Sequence, residues 1–179
     1  MTEYDVQLKV IKNWHSSGNF MIPNVCGGYG EMDVLRLTRS GYATEFEIKV
    51  SRADFCHDKE KREKHQNYSD VFTNTPRLWW NGRTKDKKGI PNYFVYVVPF
   101  HLNLRAIDVP SYAGLYMINE QGYIETVKEA PRLHKEKLMD YWYRKIAYSL
   151  NTKYLYHYFF RLENYSMQPI KASETAKVL

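Results

Sequence analysis

Cysteine is nearly missing from this 179-residue chain: Cys26 and Cys56 are the two present, and they form no C-x-x-C pair. A disulfide framework and a cysteine-built zinc site are therefore not expected, and two free thiols in a reducing compartment are. Long apolar runs are missing as well. No stretch approaches the roughly 18 consecutive apolar residues of a membrane span, and the polar start TEYDVQLKV has no signal-peptide core. The expectation is a cytoplasmic protein with no membrane partner. There is no internal repeat and no low-complexity segment. The six histidines are scattered without a nucleophilic or metal-ligating partner, and His57 and His65 are expected to face solvent. Negative charge is in deficit, 20 Asp and Glu against 26 Lys and Arg, and the net +6 favours a polyanionic partner.

What is present suits a single domain over residues 1–167, followed by a loose tail at 168–179, QPIKASETAKVL. Val6, Leu8, Val10, Ile11 and Trp14 have helical spacing behind Thr2 as N-cap. NFMIPNV reads as a short strand whose proline puts it at an edge. Strands at 31–38 and 42–51 flank Arg39-Ser40-Gly41, and Ser51 caps a charged helix over about 52–72. A basic loop at 74–92 precedes YFVYVVPF (93–100), a run expected of a strand buried on both faces. A strand pair near 115–118 and 122–127 follows. A helix over about 132–150, extended by the Tyr-rich 153–162, closes the order, with Trp142, Ile146, Leu150 and Leu155 spaced as a buried face. Helix, strands, helix, strand is the order of an α/β fold with a mixed central sheet flanked by helices.

The hairpin at 31–51 carries the chemistry. Gly41 supplies the left-handed residue that closes a three-residue loop. With the turn centred on Ser40, residues whose numbers sum to 80 face each other, so Asp33 sits opposite Glu47 with Cβ atoms about 4.5–5.5 Å apart. A two-residue loop at Ser40-Gly41 would set Asp33 opposite Ile48 instead. Period two puts Glu45, Glu47, Lys49 and Ser51 on one face and Tyr42, Thr44, Phe46, Ile48 and Val50 on the other. Like charges directly opposite destabilise a sheet, and a divalent cation between them reverses that sign. By the same logic, removing one of the two carboxylates should leave the metal-free fold as stable or more so. Two converging carboxylates suit Mg²⁺, with Mn²⁺ a substitute, and Lys49 is placed to orient an attacking water or offset charge on a phosphate. Charged residues on an outer sheet face are common and E-x-K triplets arise by chance. This one occurs once in the chain, on a strand, with an acid in register across the turn.

The arrangement resembles the core of the PD-(D/E)xK nuclease superfamily, although Met32 stands where the proline of the motif's name would be. EIKVSRADF (47–55), then Asp58, then Lys64 and Tyr68, resembles more narrowly the MmcB-like family of DNA-repair nucleases and related phage proteins. YFVYVVPF, Val109-Pro110 and AGLYMI (113–118) are similar to that family's second half, so the resemblance covers roughly residues 20–140. It implies a restriction-endonuclease-like core and Mg²⁺-dependent hydrolysis of DNA, by an endonuclease or an exonuclease. Asp33, Glu47 and Lys49 would be catalytic, with Asp33, Glu47 and the backbone carbonyl of Ile48 holding the metal. The helix carrying Lys64 looks lengthened by the charged insert around Glu60–Glu63.

Lys64 and Tyr68, four apart, share a helix face, with the lysine set to meet a phosphate and the tyrosine to pack beside the metal. Arg52 is a second basic contact to nucleic acid. Asp54 lies where it favours a helix start. RLWWNGRTKDKK (77–88) joins Trp79 and Trp80 to basic residues, among them Arg83 and Lys85, a composition suited to stacking on bases while neutralising phosphates. The competing expectation is a non-catalytic nucleic-acid-binding protein on the same fold.

Overall fold

The computed structural model describes residues 1–26, 30–75, 90–137 and 140–166, with the backbone alone at 140–142, 145 and 158–166. Contacts divide the chain into two compact units, Met1–Trp142 and Tyr143–Leu179, so the first unit ends well before residue 167. The expected tail at 168–179 lies outside the described residues.

The first unit is built on helix α1 (Glu3–Trp14), strands β1 (Asn19–Cys26), β2 (Glu31–Thr38) and β3 (Ala43–Ile48), helices α2 (Arg52–Asp58) and α3 (Arg62–Phe72), and strands β4 (Tyr93–Pro99), β5 (Ala113–Ile118) and β6 (Ile124–Lys128). Thr2 and Asp5 cap α1 reciprocally, each side chain accepting from the other's backbone N–H. The six strands lie in chain order in one sheet, with β3–β4 and β4–β5 parallel and the other pairs antiparallel. Val6 and Val10 of α1 pack on one face against Val34, Phe46, Ile48, Val95 and Val97. Phe55 of α2, with Tyr68 and Val71 of α3, packs on the other against Phe94, Tyr96 and Val98. This is the α/β architecture of a restriction-endonuclease-like core. β1 is the edge strand that Pro23 requires, and β4 is buried along nearly its whole length.

The hairpin has the register set by a turn at Ser40. Val34 pairs with Phe46, Leu35 with Glu45, Arg36 with Thr44 and Leu37 with Ala43. Gly41 has φ 88° and donates to the Thr38 carbonyl at 2.9 Å, the geometry that excludes the two-residue alternative.

Three expectations are corrected. The helix over 52–72 is two helices, because the chain turns after Asp58: Lys61 has φ −72° and ψ 64°, which no helix accommodates. Two ion pairs hold the break, Lys61 Nζ lying 2.8 Å from Asp58 and 3.3 Å from Glu47. Residues 131–137 are not helical, because their backbone groups are committed elsewhere. Asn92 Nδ2 donates to the carbonyls of His134 at 3.0 Å and Glu136 at 2.7 Å, and Leu133 N–H donates to the Asn92 carbonyl at 2.8 Å. Helix α4 runs over Asp140–Ser166, taking in the Tyr-rich stretch, and on it Ile146 is buried whereas Leu150 and Leu155 are exposed. Among the described residues no helix is long and apolar enough to cross a membrane. Cys26 and Cys56 are exposed free thiols.

Candidate functional site

The site forms where β2 begins and β3 ends, on the face that α3 covers. Period two on β3 brings Glu45 and Glu47 to that face, and both are almost completely buried. Helical spacing on α3 sets Lys64 and Tyr68 against them. Lys64 Nζ lies 2.7 Å from Glu45 Oε1 and 2.6 Å from Glu47 Oε2, while the Tyr68 hydroxyl donates to Glu45 Oε2. Lys49 Nζ lies 2.9 Å from Glu47 Oε1 and 3.6 Å from both Asp54 and Asp58. The Asp33 carboxylate accepts from the Ile48 N–H at 2.6 Å, which extends the hairpin register by a side-chain bond beyond its last backbone pair. Asp33, Glu47, Lys49, Lys61 and Lys64 share a cleft of about 480 Å³.

Carboxylates outnumber ammoniums here, and burial and pairing set the protonation states. Burial pushes Asp33 up to about 7, and Glu47 adds to the shift, while the Ile48 N–H and Lys49 resist it. Burial opposes the charge on Lys64, but Glu45 and Glu47 hold its pKa above the ordinary lysine value. Burial likewise opposes the charge on Lys49, and Glu47, Asp58 and Asp54 reverse the sign. Asp58 is buried yet held well below the carboxylate range by hydrogen bonds from His65 and Lys61 and by the charge of Lys49.

Asp33 carries a test of its own. Its folded-state pKa lies above the unfolded value, so the native state binds the extra proton between pH 3.8 and about 7. Its contribution to stability is full below that window and is lost as pH rises through it. The metal-free protein should therefore melt at lower temperature as pH rises from 4 to 7, and Asp33→Asn should flatten that slope. Divalent-ion affinity should fall about tenfold per pH unit below 7, since one proton must leave. Calorimetric Mn²⁺ titrations at pH 6 and pH 8 read it directly, and equal affinities would contradict it.

Several residues of the site have roles that the sequence does not assign, although Asp58 belongs to the run that carries the family resemblance. Period two puts Glu45 on the right face but points to no role for it. Asp58 is a hub: Tyr96 donates to it at 2.8 Å, and Lys61 and His65 lie 2.8 and 3.2 Å away. His65 does not face solvent. It is tied to Tyr112 at 2.7 Å and to the Asp58 carbonyl at 2.8 Å, whereas His57 is exposed beside Glu60. Gln7, buried on α1, donates to the Asn24 side chain at 2.7 Å and the Asp33 carbonyl at 2.8 Å, fixing β2 where its carboxylate enters the cleft.

Of the expected nucleic-acid contacts, Lys64 and Tyr68 are buried among the carboxylates, and Arg52 is exposed and donates to the Asn103 carbonyl at 3.2 Å. Trp79, Trp80, Arg83 and Lys85 lie outside the described residues, as does nearly all of the Lys64-to-β4 connection after 75.

The sequence matches no family model and no curated protein. A solved structure, the SPO1766 protein of unknown function from Silicibacter pomeroyi, is similar with a TM-score of 0.56 and 18% identity, covering 96% of this chain and 98% of that one. At that identity the likeness shows the fold alone.

Among the described residues no three His, Cys, Asp or Glu side chains converge as a metal-ligand group. What converges is a pair, Asp33 and Glu47. A residue in extended backbone directs its N–H and C=O to the same strand edge, so the Ile48 carbonyl faces the Asp33 side, where its N–H already bonds. An all-oxygen set of two carboxylates and a carbonyl fits a hard cation that keeps several waters. The desolvated Asp33 is the observation that supports the fit, because a cation would favour its charged form. Lys61 Nζ, on a half-exposed side chain, is the ammonium free to withdraw from Glu47, since those of Lys49 and Lys64 are buried.

Proposed function

We propose that this chain is a metal-dependent nuclease of the PD-(D/E)xK type, closest to the MmcB-like family, hydrolysing DNA phosphodiester bonds in repair, recombination or phage DNA processing in the cytoplasm. One observation carries the reading: Asp33, Glu47 and Lys49 come together in one cleft, with Lys49 held 2.9 Å from Glu47. Bound Mg²⁺, or Mn²⁺ in its place, would supply polarisation of a phosphoryl oxygen and a lowered water pKa. Asp33, Glu47 and the Ile48 carbonyl would hold it. Lys49, with its raised pKa, keeps its proton and serves as a fixed cation that orients water and offsets negative charge on the phosphate, not as a base. Asp54 and Asp58 position that ammonium from behind. The proposal is tested by incubating the protein with linear, flapped and junction DNA in Mg²⁺ and in chelator. Metal-dependent cleavage of at least one substrate is expected.

A second reading, a non-catalytic nucleic-acid-binding protein on the same fold, is favoured by the three ammoniums that already occupy both oxygens of Glu47. Saturable divalent-ion binding that displaces none of the DNA affinity but switches on cleavage separates the two.

The 77–88 segment is proposed to hold DNA beside the cleft. Replacing Arg77, Arg83, Lys85, Lys87 and Lys88 with Gln should weaken binding to all sequences alike. The salt slope should fall by about one unit for every phosphate that is no longer neutralised. Trp79 or Trp80 should be quenched by single-stranded DNA if it stacks on a base. Unchanged slope and unquenched fluorescence would make the segment an ordinary surface loop.

A further inference from the structure

The side chain of Lys64 reaches from α3 into the space between two carboxylates of one strand, and does so almost without solvent contact. Its Nζ lies 2.7 Å from Glu45 and 2.6 Å from Glu47, on a side chain 8% exposed. The ring of Phe94 lies beneath it, 5.2 Å from Nζ to the centroid, and adds a cation–π attraction to the ion pairs. Of the Glu45 oxygens, Oε2 accepts from the Tyr68 hydroxyl, and Oε1 has Lys64 Nζ at 2.7 Å as its ion pair but no aligned hydrogen bond. Glu47 has its Oε2 committed to Lys64, which leaves Oε1, paired with Lys49 and the half-exposed Lys61, as the oxygen an ion beside Asp33 would use. An ammonium bridging one oxygen from each of two carboxylates is doing electrostatically what a bridging metal ion does.

We propose that Lys64 is a built-in cation standing where a second metal would sit, so that the site takes a single divalent ion, between Asp33 and Glu47. This rests on the metal reading of Asp33 and Glu47 and sets its stoichiometry. The limit is one of place and not of net charge, because Glu3, Glu31 and Asp54 join Asp33, Glu45, Glu47 and Asp58 around the ammoniums of Lys49, Lys61 and Lys64. The oxygens that a second ion would bridge, one on Glu45 and one on Glu47, are the two that Lys64 holds. Lys64 differs from Lys61 in this respect: it is anchored on both sides and buried, whereas Lys61 can swing out.

The test is the number of Mn²⁺ ions bound per chain, measured by equilibrium dialysis of the metal alone with no nucleic acid present. Wild type should bind one. Lys64→Ala, which opens the Glu45–Glu47 bridge, should bind two, and Glu45→Gln added to Lys64→Ala should return the count to one. Two ions on wild type, or one on Lys64→Ala, would overturn the role of Lys64 and leave the nuclease proposal standing. No ion on wild type would overturn the metal reading of Asp33 and Glu47, and this inference with it. Should Lys64→Ala fail to fold in buffer alone, it is refolded in Mn²⁺: recovery with two ions supports the proposal, and no recovery overturns it.

Discussion

Glu47→Gln should reduce DNA cleavage below detection and weaken Mn²⁺ binding, while the chain remains folded. Glutamine keeps the shape and one oxygen acceptor, enough for either Lys49 or Lys64 but not both, and loses the charge that a divalent ion needs. Glu47→Ala is a different experiment. On the hairpin alone, deleting one of two facing carboxylates relieves repulsion. In the folded protein Glu47 is the shared partner of Lys49, Lys61 and Lys64, and Glu47 and Lys64 are both buried. Removing one member of a buried pair costs about 3–5 kcal/mol because the other charge is left uncompensated. Both variants leave the lysines uncompensated and should unfold below wild type in the absence of metal, with Glu47→Ala the lower of the two because it also loses the shape and the remaining acceptor. Thermal unfolding of wild type and the two variants side by side measures this, and wild-type melting temperatures in both would show that the lysines do not depend on Glu47.

Lys49→Ala should slow turnover by about 10²–10³-fold, the range found when one preorganised donor to a developing negative charge is lost. Its effect on metal binding should be of the other sign. A cation is being removed from beside another cation, so Mn²⁺ affinity should be unchanged or higher. The fold should tolerate the change better than it tolerates Glu47→Ala, because Asp58 keeps Lys61, His65 and Tyr96. Calorimetric titration that shows lost Mn²⁺ binding in Lys49→Ala would contradict the assigned role.

The central pair was legible because it depends on local rules. Gly41 fixed the loop, the loop fixed the register, and period two then put Glu45, Glu47 and Lys49 on one face. Lys64 and Tyr68 were legible as a pair by helical spacing, but their partners were not, since which strand a helix face meets is a tertiary fact. Asp58 stood out only through the family resemblance, and its role was hidden by its neighbours. In the run from Asp58 to Glu63 the charges alternate as on a solvated helix, and only the turn after Asp58 and the hydroxyl of Tyr96, 38 residues on, make it a buried hub. Gln7 was invisible for a similar reason, one polar residue in an amphipathic helix whose value comes from two acceptors on β1 and β2. The irregular 131–137 segment is explained by Asn92, a residue more than 40 positions away whose amide captures its carbonyls. Helix propensity cannot foresee such a competitor.

The most direct measurement is the rate of phosphodiester cleavage by the purified wild-type chain and Glu47→Gln, assayed together on the same DNA in Mg²⁺, in Mn²⁺ and in EDTA. Cleavage by wild type with either ion, none in EDTA and none by Glu47→Gln under any condition is the result expected of a metal-dependent nuclease centred on Asp33, Glu47 and Lys49. Cleavage that survives EDTA, or that Glu47→Gln performs at the wild-type rate, would contradict it.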